Sequence, residues 1–257
     1  MSQHRFYIPA EIWNPESLAL CEGEAKHCSE VLRCKVGERI TVFNGQGTEA
    51  ITEIASLESG GRHITLKLIA LNKTPRPPAH LTLGQAIPKG KNMDLIVQKA
   101  TELGASQVIP LLSERTVVKL DAAEAEKKRA KWQKVALEAC KQCGQNWLPQ
   151  IAAIQSVESF LSTQGKTPPQ ADELRLIAAL HPDAQSLKNI LSVEASESET
   201  SPQSATILIG PEGDFTPAEL STAVTAGFRP LSLGPIVLRS ETAAIYALSV
   251  LAHELMR

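Results

Sequence analysis

The sequence is poor in aromatics and has no long apolar stretch. Phe, Trp and Tyr make up only 4% of its 257 residues. No segment approaches the roughly 18 consecutive apolar residues of a membrane-crossing helix, so no membrane partner is expected. The N-terminus, MSQHRFYIPAEIW, lacks a basic start followed by an apolar run. It does not read as a secretory signal, and a cytoplasmic location is expected. Charge of one sign is also lacking: 26 Lys and Arg face 28 Asp and Glu, a formal net charge of -2. That excludes the strongly basic class of nucleic-acid binders while leaving room for a local basic face. No G-x-G-x-x-G opens a helix after a strand, and Gly45-Gln46-Gly47 reads as a hairpin turn. There is no phosphate-binding G-x-x-x-x-G-K-[ST], no H-E-x-x-H, no paired C-x-x-C and no G-x-S-x-G. Nicotinamide, nucleotide-hydrolase, zinc-protease and serine-hydrolase chemistries therefore lose their usual marks. Cys21, Cys28, Cys34, Cys140 and Cys143 are odd in number and read as reduced thiols. The Cys140/Cys143 pair is isolated in a helix-like segment, and no metal site is expected.

What is present divides the chain in two. Hydrophobic residues at 43% and charged residues at 21% support a packed core. Segments near Arg5–Ile8, Arg39–Asn44, Thr48–Ile54 and His63–Leu71 are rich in β-branched and aromatic residues, with Gly45, Gly47, Gly60 and Gly61 marking turns. So many short strands predict a small β-barrel. The linker LNKTPRPPAH, residues 71–80, carries Pro75, Pro77 and Pro78, which oppose regular structure. It separates a β domain, residues 1–72, from an α/β domain, residues 73–257.

In the second part the pattern alternates. Lys91–Leu103 has helical spacing and ends at Gly104; Gln107–Leu112 is an apolar strand; Trp132, Val135, Ala136, Ala139 and Cys143 mark the apolar face of another helix. Leu174–Leu180 and Ala205–Gly210 are nearly continuous apolar runs, as in strands covered on both faces of a parallel sheet. Residues 192–204, SVEASESETSPQS, read as a polar surface loop.

Two segments carry the chemistry. In ILIGPEGDFTPAEL, residues 207–220, a buried strand runs into Gly210-Pro211-Glu212-Gly213-Asp214. A helix then starts with Thr216 as N-cap, Pro217 first and Glu219 completing a capping box. A glycine turn between a strand's C-terminal end and a helix start is where open α/β sheets bind ligands, although a plain tight turn explains it equally well. In LSLGPIVLRSETAAIYALSVLAHELMR, residues 231–257, the apolar stripe Ala244, Ile245, Leu248, Leu251, Ala252 and Leu255 predicts a final helix. Ser240 is the expected cap, with Glu241 in the first turn. Arg239 and Glu241 flank that helix start and suit charge stabilisation and proton transfer; a simple ion pair between them, or an exposed charge at Arg239, explains them equally.

These segments, with KGKNMDLIVQKATELGASQVIPLLSERTVVK and the N-terminal AKHCSEVLRCKVGERITVFNGQG, resemble the RsmE-type uridine-N3 methyltransferases of 16S ribosomal RNA. The resemblance covers nearly the whole chain. It implies a PUA-like β-barrel for RNA recognition, followed by a SPOUT methyltransferase domain threaded into a trefoil knot. It also implies a homodimer, 16S ribosomal RNA of the small subunit as partner, and S-adenosyl-L-methionine, without metal, as methyl donor. Carried over by position, the cofactor loops are Leu180-His181-Pro182, Ile209-Gly210-Pro211-Glu212-Gly213, and Leu233-Gly234 through Leu238. Arg239 and Glu241 are the implied catalytic pair, Thr242 adds a polar group toward the cofactor, and Arg5 and Arg33 are the candidate RNA contacts. The chain departs from the family pattern at Ile236 and at Gln145-Asn146-Trp147, where arginines are common in members. The alternatives are a SPOUT enzyme for another RNA, such as a tRNA, and an RNA-binding module without catalysis.

Overall fold

A computed structural model describes residues 4–58, 62–118, 120–170, 172–197 and 202–256. Its chain forms two compact units, Met1–Arg76 with Leu137–Leu148, and Pro77–Ala136 with Pro149–Arg257.

The first unit is built on β1 (Arg5–Tyr7), β2 (Ala19–Cys21), the short helix α1 (Glu22–Lys26), β3 (Arg39–Phe43), β4 (Thr48–Leu57) and β5 (His63–Lys73). The strand order is β1-β3-β4-β5-β2, with only the β1/β3 pair parallel. Among the described residues the edge strands β1 and β2 do not pair with each other. Alternation in these strands sends Phe6, Leu20, Ile40, Val42, Ala50, Ile54 and Ile64 into one apolar core. The strand β2 and the helical turns from Glu22 to Val31 are not foreseen by sequence, since three strand residues and a five-residue helix leave little periodicity to read. The turn glycines Gly60 and Gly61 lie outside the described residues.

The segment Leu137–Leu148 joins this unit by strand-like bonds. Gly47 donates to the Asn146 carbonyl at 2.9 Å, and Leu148 donates to the Gly45 carbonyl at 3.0 Å. Gly45 and Gly47 have φ of +73° and +84°. A Cβ on Gly47 would run into the Trp147 ring, so glycine is required there twice over. The Trp147 indole in turn donates to the carbonyls of Thr74 and Pro75.

The second unit contains β6 (His80–Ala86), α2 (Asn92–Glu102), β7 (Gln107–Leu112), α3 (Ala122–Cys143, shared in sequence with the first unit), β8 (Gln150–Ile151), β9 (Gln155–Ser156), α4 (Val157–Gln164), β10 (Glu173–Ala178), β11 (Gln185–Ser186), α5 (Leu187–Glu197), β12 (Ser204–Ile209), α6 (Pro217–Thr225), β13 (Arg229–Ser232) and α7 (Ser240–Leu255). Its sheet is parallel throughout, in the order β11-β13-β10-β12-β6-β7-β8, with β9 also on β7. Helices α2 and α7 pack together, and α7 lies on β6 and β12. Residues of α4 and α6 bury Val157, Phe160, Leu161 and Ala223 with Ile109, Leu111, Ile177 and Leu208 of the strands. Covering on both faces explains why these strands are apolar at nearly every position.

Three expectations are corrected here. Residues 192–197 continue α5 rather than forming a loop, since Glu and Ala sustain a helix that composition alone does not reveal; residues 198–201 lie outside the described residues. On α3 Trp132, Ala136 and Ala139 are buried as expected, but the apolar face ends at the buried Cys140, and Cys143 is exposed. Ser240 is the first residue of α7 and not its cap. Arg239 holds the cap position without a side-chain cap bond, and the Ser240 hydroxyl is committed elsewhere.

Candidate functional site

The C-terminal ends of β10, β12 and β13 meet the start of α7 around one cavity. Ala178, Ala179 and Leu180 line it after β10; Ile209, Gly210, Pro211, Glu212 and Asp214 after β12; Leu231 through Gly234, then Ile236, Val237 and Leu238, around β13 and the loop beyond; Ser240 and Ala243 from α7. The location follows from the parallel sheet, whose strands all deliver their following loops to the same edge. Two anchors hold these loops. The capping box fixes α6 beneath the loop after β12: the Thr216 side chain accepts from Glu219 N, and the Glu219 carboxylate accepts from Thr216 N at 2.8 Å and from Glu114 N at 3.0 Å. The buried Ser240 hydroxyl donates to the Gly210 carbonyl at 2.7 Å and accepts from the Gln85 amide at 2.9 Å, tying the start of α7 to the ends of β12 and β6.

Gly210 is packed where it stands. A Cβ on it would lie 3.0 Å from Asp214 Oδ1 and 3.1 Å from Phe215 N, so a side chain would displace the loop. The Glu212 carboxylate accepts from the Lys89 backbone N–H at 2.9 Å. The lining is otherwise mostly aliphatic, with Leu180, Ile236 and Val237 all more than two-thirds exposed. Such a wall offers apolar surface, backbone polar groups and the two carboxylates of Glu212 and Asp214. It suits a flat, partly apolar ligand read by main-chain groups and carrying positive charge.

The structure brings together Leu180, Ile209, Gly210, Pro211, Glu212, Leu233, Gly234 and Leu238 in this cavity. His181 and Gly213 line a neighbouring cavity, bounded by Arg115 and α6. Thr242 is exposed and lines neither. Arg239 is exposed and Glu241 half-buried; both sit at the rim, next to the lining residues Leu238 and Ser240 but outside the wall. With the described residues the Arg239 guanidinium makes no ion pair or hydrogen bond, so it is not paired with Glu241. Ile236, one of the two departures from the family pattern, lines the cavity.

In the first unit, Arg33 is exposed, with φ of +56°. Arg5 is taken up in a network instead. Its guanidinium donates to Glu49 at 2.9 Å and to Asn146 Oδ1 at 2.7 Å and lies over the Phe43 ring. Burial pushes the Glu49 carboxyl up, but hydrogen bonds from Arg5, Asn146 and Asn72 outweigh it and hold the group below the usual carboxylate range. Asn146 also donates to Thr74 Oγ1 at 2.8 Å, so the second departure from the family pattern supplies a member of this network.

The sequence does not reveal Ser240 as a loop anchor, and it places Asp214 in the glycine turn without a role of its own. For Ser240 the only signal is its place at a helix start, which suggests a cap. For Asp214 the signal is weak but present: a short polar residue directly after Pro-Glu-Gly in a strand-to-helix turn.

The sequence model of the RNA methyltransferase domain matches residues 75–252, and that of the RNA methyltransferase PUA domain matches residues 20–69. Ribosomal RNA small subunit methyltransferase E of Bacillus subtilis is 32% identical over 233 residues, covering 90% of this chain and 88% of the relative. A methyltransferase of Legionella pneumophila, solved with the cofactor SAM bound, superposes with a TM-score of 0.84 at 33% identity, covering 99% of this chain and 98% of the other. Ribosomal RNA small subunit methyltransferase E of Neisseria gonorrhoeae, bound to S-adenosyl methionine, gives a TM-score of 0.82 at 28% identity, with 98% of each chain covered.

Proposed function

The chain belongs to the family of ribosomal RNA small subunit methyltransferases E, and from that premise we propose that it transfers a methyl group from S-adenosyl-L-methionine to N3 of a uridine in 16S ribosomal RNA, in the cytoplasm, during ribosome biogenesis. The observation that carries this reading is the cavity itself, which gathers the family's two glycine-bearing loops and the loop after β10 at one sheet edge. Its residues fit the cofactor. The aliphatic lining suits adenine, the loops after β10, β12 and β13 offer main-chain polar groups, and the Glu212 carboxylate favours a cationic sulfonium. When bound, the cofactor supplies an electrophilic methyl group. The protein's own part is then to remove the N3 imide proton, to stabilise charge developing on O2 or O4 of the base, and to hold the base out of any duplex. Glu241 and Arg239, at the cavity rim, are the proposed base and stabiliser. Arg33 is the proposed RNA contact on the first unit, with Arg5 ordering the strand ends through Glu49 and Asn146.

The trefoil knot is proposed on the same footing. β13 lies on the far side of β10 from β12, yet α7 packs on β12 and β6. Residues 233–239 must therefore pass the end of β10, where the chain after Ala178 leaves the sheet. A homodimer is proposed through α2 and α7, which expose Leu95 and Tyr246. Sedimentation is expected to give twice the chain mass of 27.7 kDa at micromolar concentration; a monomer there overturns the dimer.

The function is tested with chelator-treated protein, S-adenosylmethionine and 16S ribosomal RNA or small subunits, followed by nucleoside mass spectrometry. Formation of 3-methyluridine without added metal is expected. Methyl incorporation only into tRNA, or a strict metal requirement, overturns the reading.

A further inference from the structure

Asp214 stands at a left-handed backbone position, φ +61°, where a side chain costs energy and glycine does not. Its half-buried carboxylate is held between two loops. Oδ1 accepts from Phe215 N at 2.8 Å, and Oδ2 accepts from Leu180 N at 3.2 Å, across 34 residues of sequence. The first bond closes the turn after β12, together with Asp214 N donating to the Pro211 carbonyl at 2.9 Å. The second clips that turn to the loop after β10. Ala179, Leu180 and Asp214 line both the cofactor cavity and its neighbour, so this clip forms part of the wall between them. Asp214 Oδ1 also lies against the bare Cα of Gly210.

We propose that Asp214 is a positioning residue for cofactor binding: its carboxylate latches the loop at Leu180 to the glycine turn after β12 and thereby sets the shape of the cofactor cavity. The proposal rests on the assignment of that cavity to S-adenosylmethionine. It follows from two opposed energies. The left-handed conformation costs an aspartate more than a glycine, whereas the carboxylate gains two main-chain N–H donors that a glycine forgoes. Binding by main-chain groups demands that the loops be placed before the ligand arrives, because ordering them on binding weakens affinity. Leu180, 69% exposed, has little packing of its own to hold it there.

The test separates latch from scaffold. S-adenosylmethionine is titrated calorimetrically into the wild type, Asp214→Gly and Asp214→Asn, and each is melted without cofactor. Glycine relieves the left-handed strain but gives up the bond from Phe215 N, and with these effects opposed Asp214→Gly is expected to melt close to the wild type. Its cofactor dissociation constant is expected to rise about tenfold, the effect of losing a hydrogen bond to a charged group. Asn retains one accepting oxygen, and Asp214→Asn is expected to fall between the two. In the methylation assay KM for the cofactor should rise while kcat at saturation stays near wild type. Wild-type affinity in Asp214→Gly overturns the latch, as does a loss confined to kcat. If Asp214→Gly melts lower, Asp214→Asn decides, and wild-type affinity in that variant overturns the proposal. Absence of binding by the wild type instead refutes the cofactor assignment of the cavity, a different failure.

Discussion

Replacing Arg175 by alanine is expected to destabilise the second unit by about 3–5 kcal/mol, the usual consequence of removing one partner from a buried ion pair. Arg175 is only 5% exposed in the middle of β10. Its Nε and one terminal nitrogen form a two-pronged bond with the Glu173 carboxylate, both at 2.9 Å. The other terminal nitrogen donates to the carbonyls of Gln164, Thr167 and Ala226 at 3.0–3.1 Å. Gln164 ends α4 and Ala226 caps α6. One guanidinium thus satisfies the orphan carbonyls and negative ends of two helices while holding them to the sheet. Alanine takes the side-chain donor from all three carbonyls, of which that of the buried Ala226 is the costliest to leave, and opens a void. Glu173, one-fifth exposed, can rehydrate in part and softens the loss. Lysine keeps the charge but not the planar fork, and should recover less than half of the deficit. Urea unfolding of the three proteins measures this. A deficit below about 1 kcal/mol, the range of surface pairs, shows that water replaces the guanidinium at little cost.

Nothing in the sequence announces that role. Arg175 interrupts an apolar run, ELRLIA, and at sequence level only the run is informative. The long, doubly covered strands β6, β7, β10 and β12 are legible because burial on both faces forces apolar residues at nearly every position. The capping box at Thr216 is legible for a different reason: its bonds are local, so the residue types three apart are themselves the interaction. The short elements β2 and α1 are not, because three to five residues carry no period. Nor is the attachment of Leu137–Leu148 to the first unit, which depends on Asn146 and Trp147 meeting Gly47 and Thr74 across long separations.

The candidate site divides along the same line. The turn from Gly210 to Glu212 is readable as a strand-to-helix turn at a sheet edge, a place that suits a ligand and a plain tight turn equally, whereas Leu233 and Gly234 are assigned by resemblance. The loop at Leu180 has no such turn, and its place in the cavity comes from resemblance alone. Ser240 misleads by its type: a serine at a helix start suggests a cap, but its hydroxyl reaches Gly210 and Gln85, 30 and 155 residues away. Arg5 misleads in the same way, as a cation whose partners, Glu49 and Asn146, are invisible until the sheet is assembled.

Arg239→Ala is expected to slow methyl transfer about a hundredfold, the usual effect of losing a preorganised stabiliser of transition-state charge, while cofactor affinity changes little. The two effects separate because of where Arg239 sits. It is exposed at the N-cap position of α7, between the lining residues Leu238 and Ser240 but outside the cavity wall. Its backbone is fixed, since its carbonyl accepts from Ala243 N at 2.8 Å and the adjoining Ser240 hydroxyl is bonded to the Gly210 carbonyl. Its guanidinium has no partner among the described residues and is free to meet an oxygen of the incoming base. Loss of an interaction made only in the transition state lowers kcat and kcat/KM together and spares ground-state binding. Arg239→Lys retains charge without the fork and should recover part of the rate. Glu241→Gln should also spare cofactor binding, and its deficit should shrink at high pH, where the N3 proton leaves without help from a base. Single-turnover methylation across pH, paired with cofactor titration for each variant, measures all of these. Near-normal turnover in Arg239→Ala, or a cofactor affinity that falls as steeply as the rate, removes Arg239 from the chemistry.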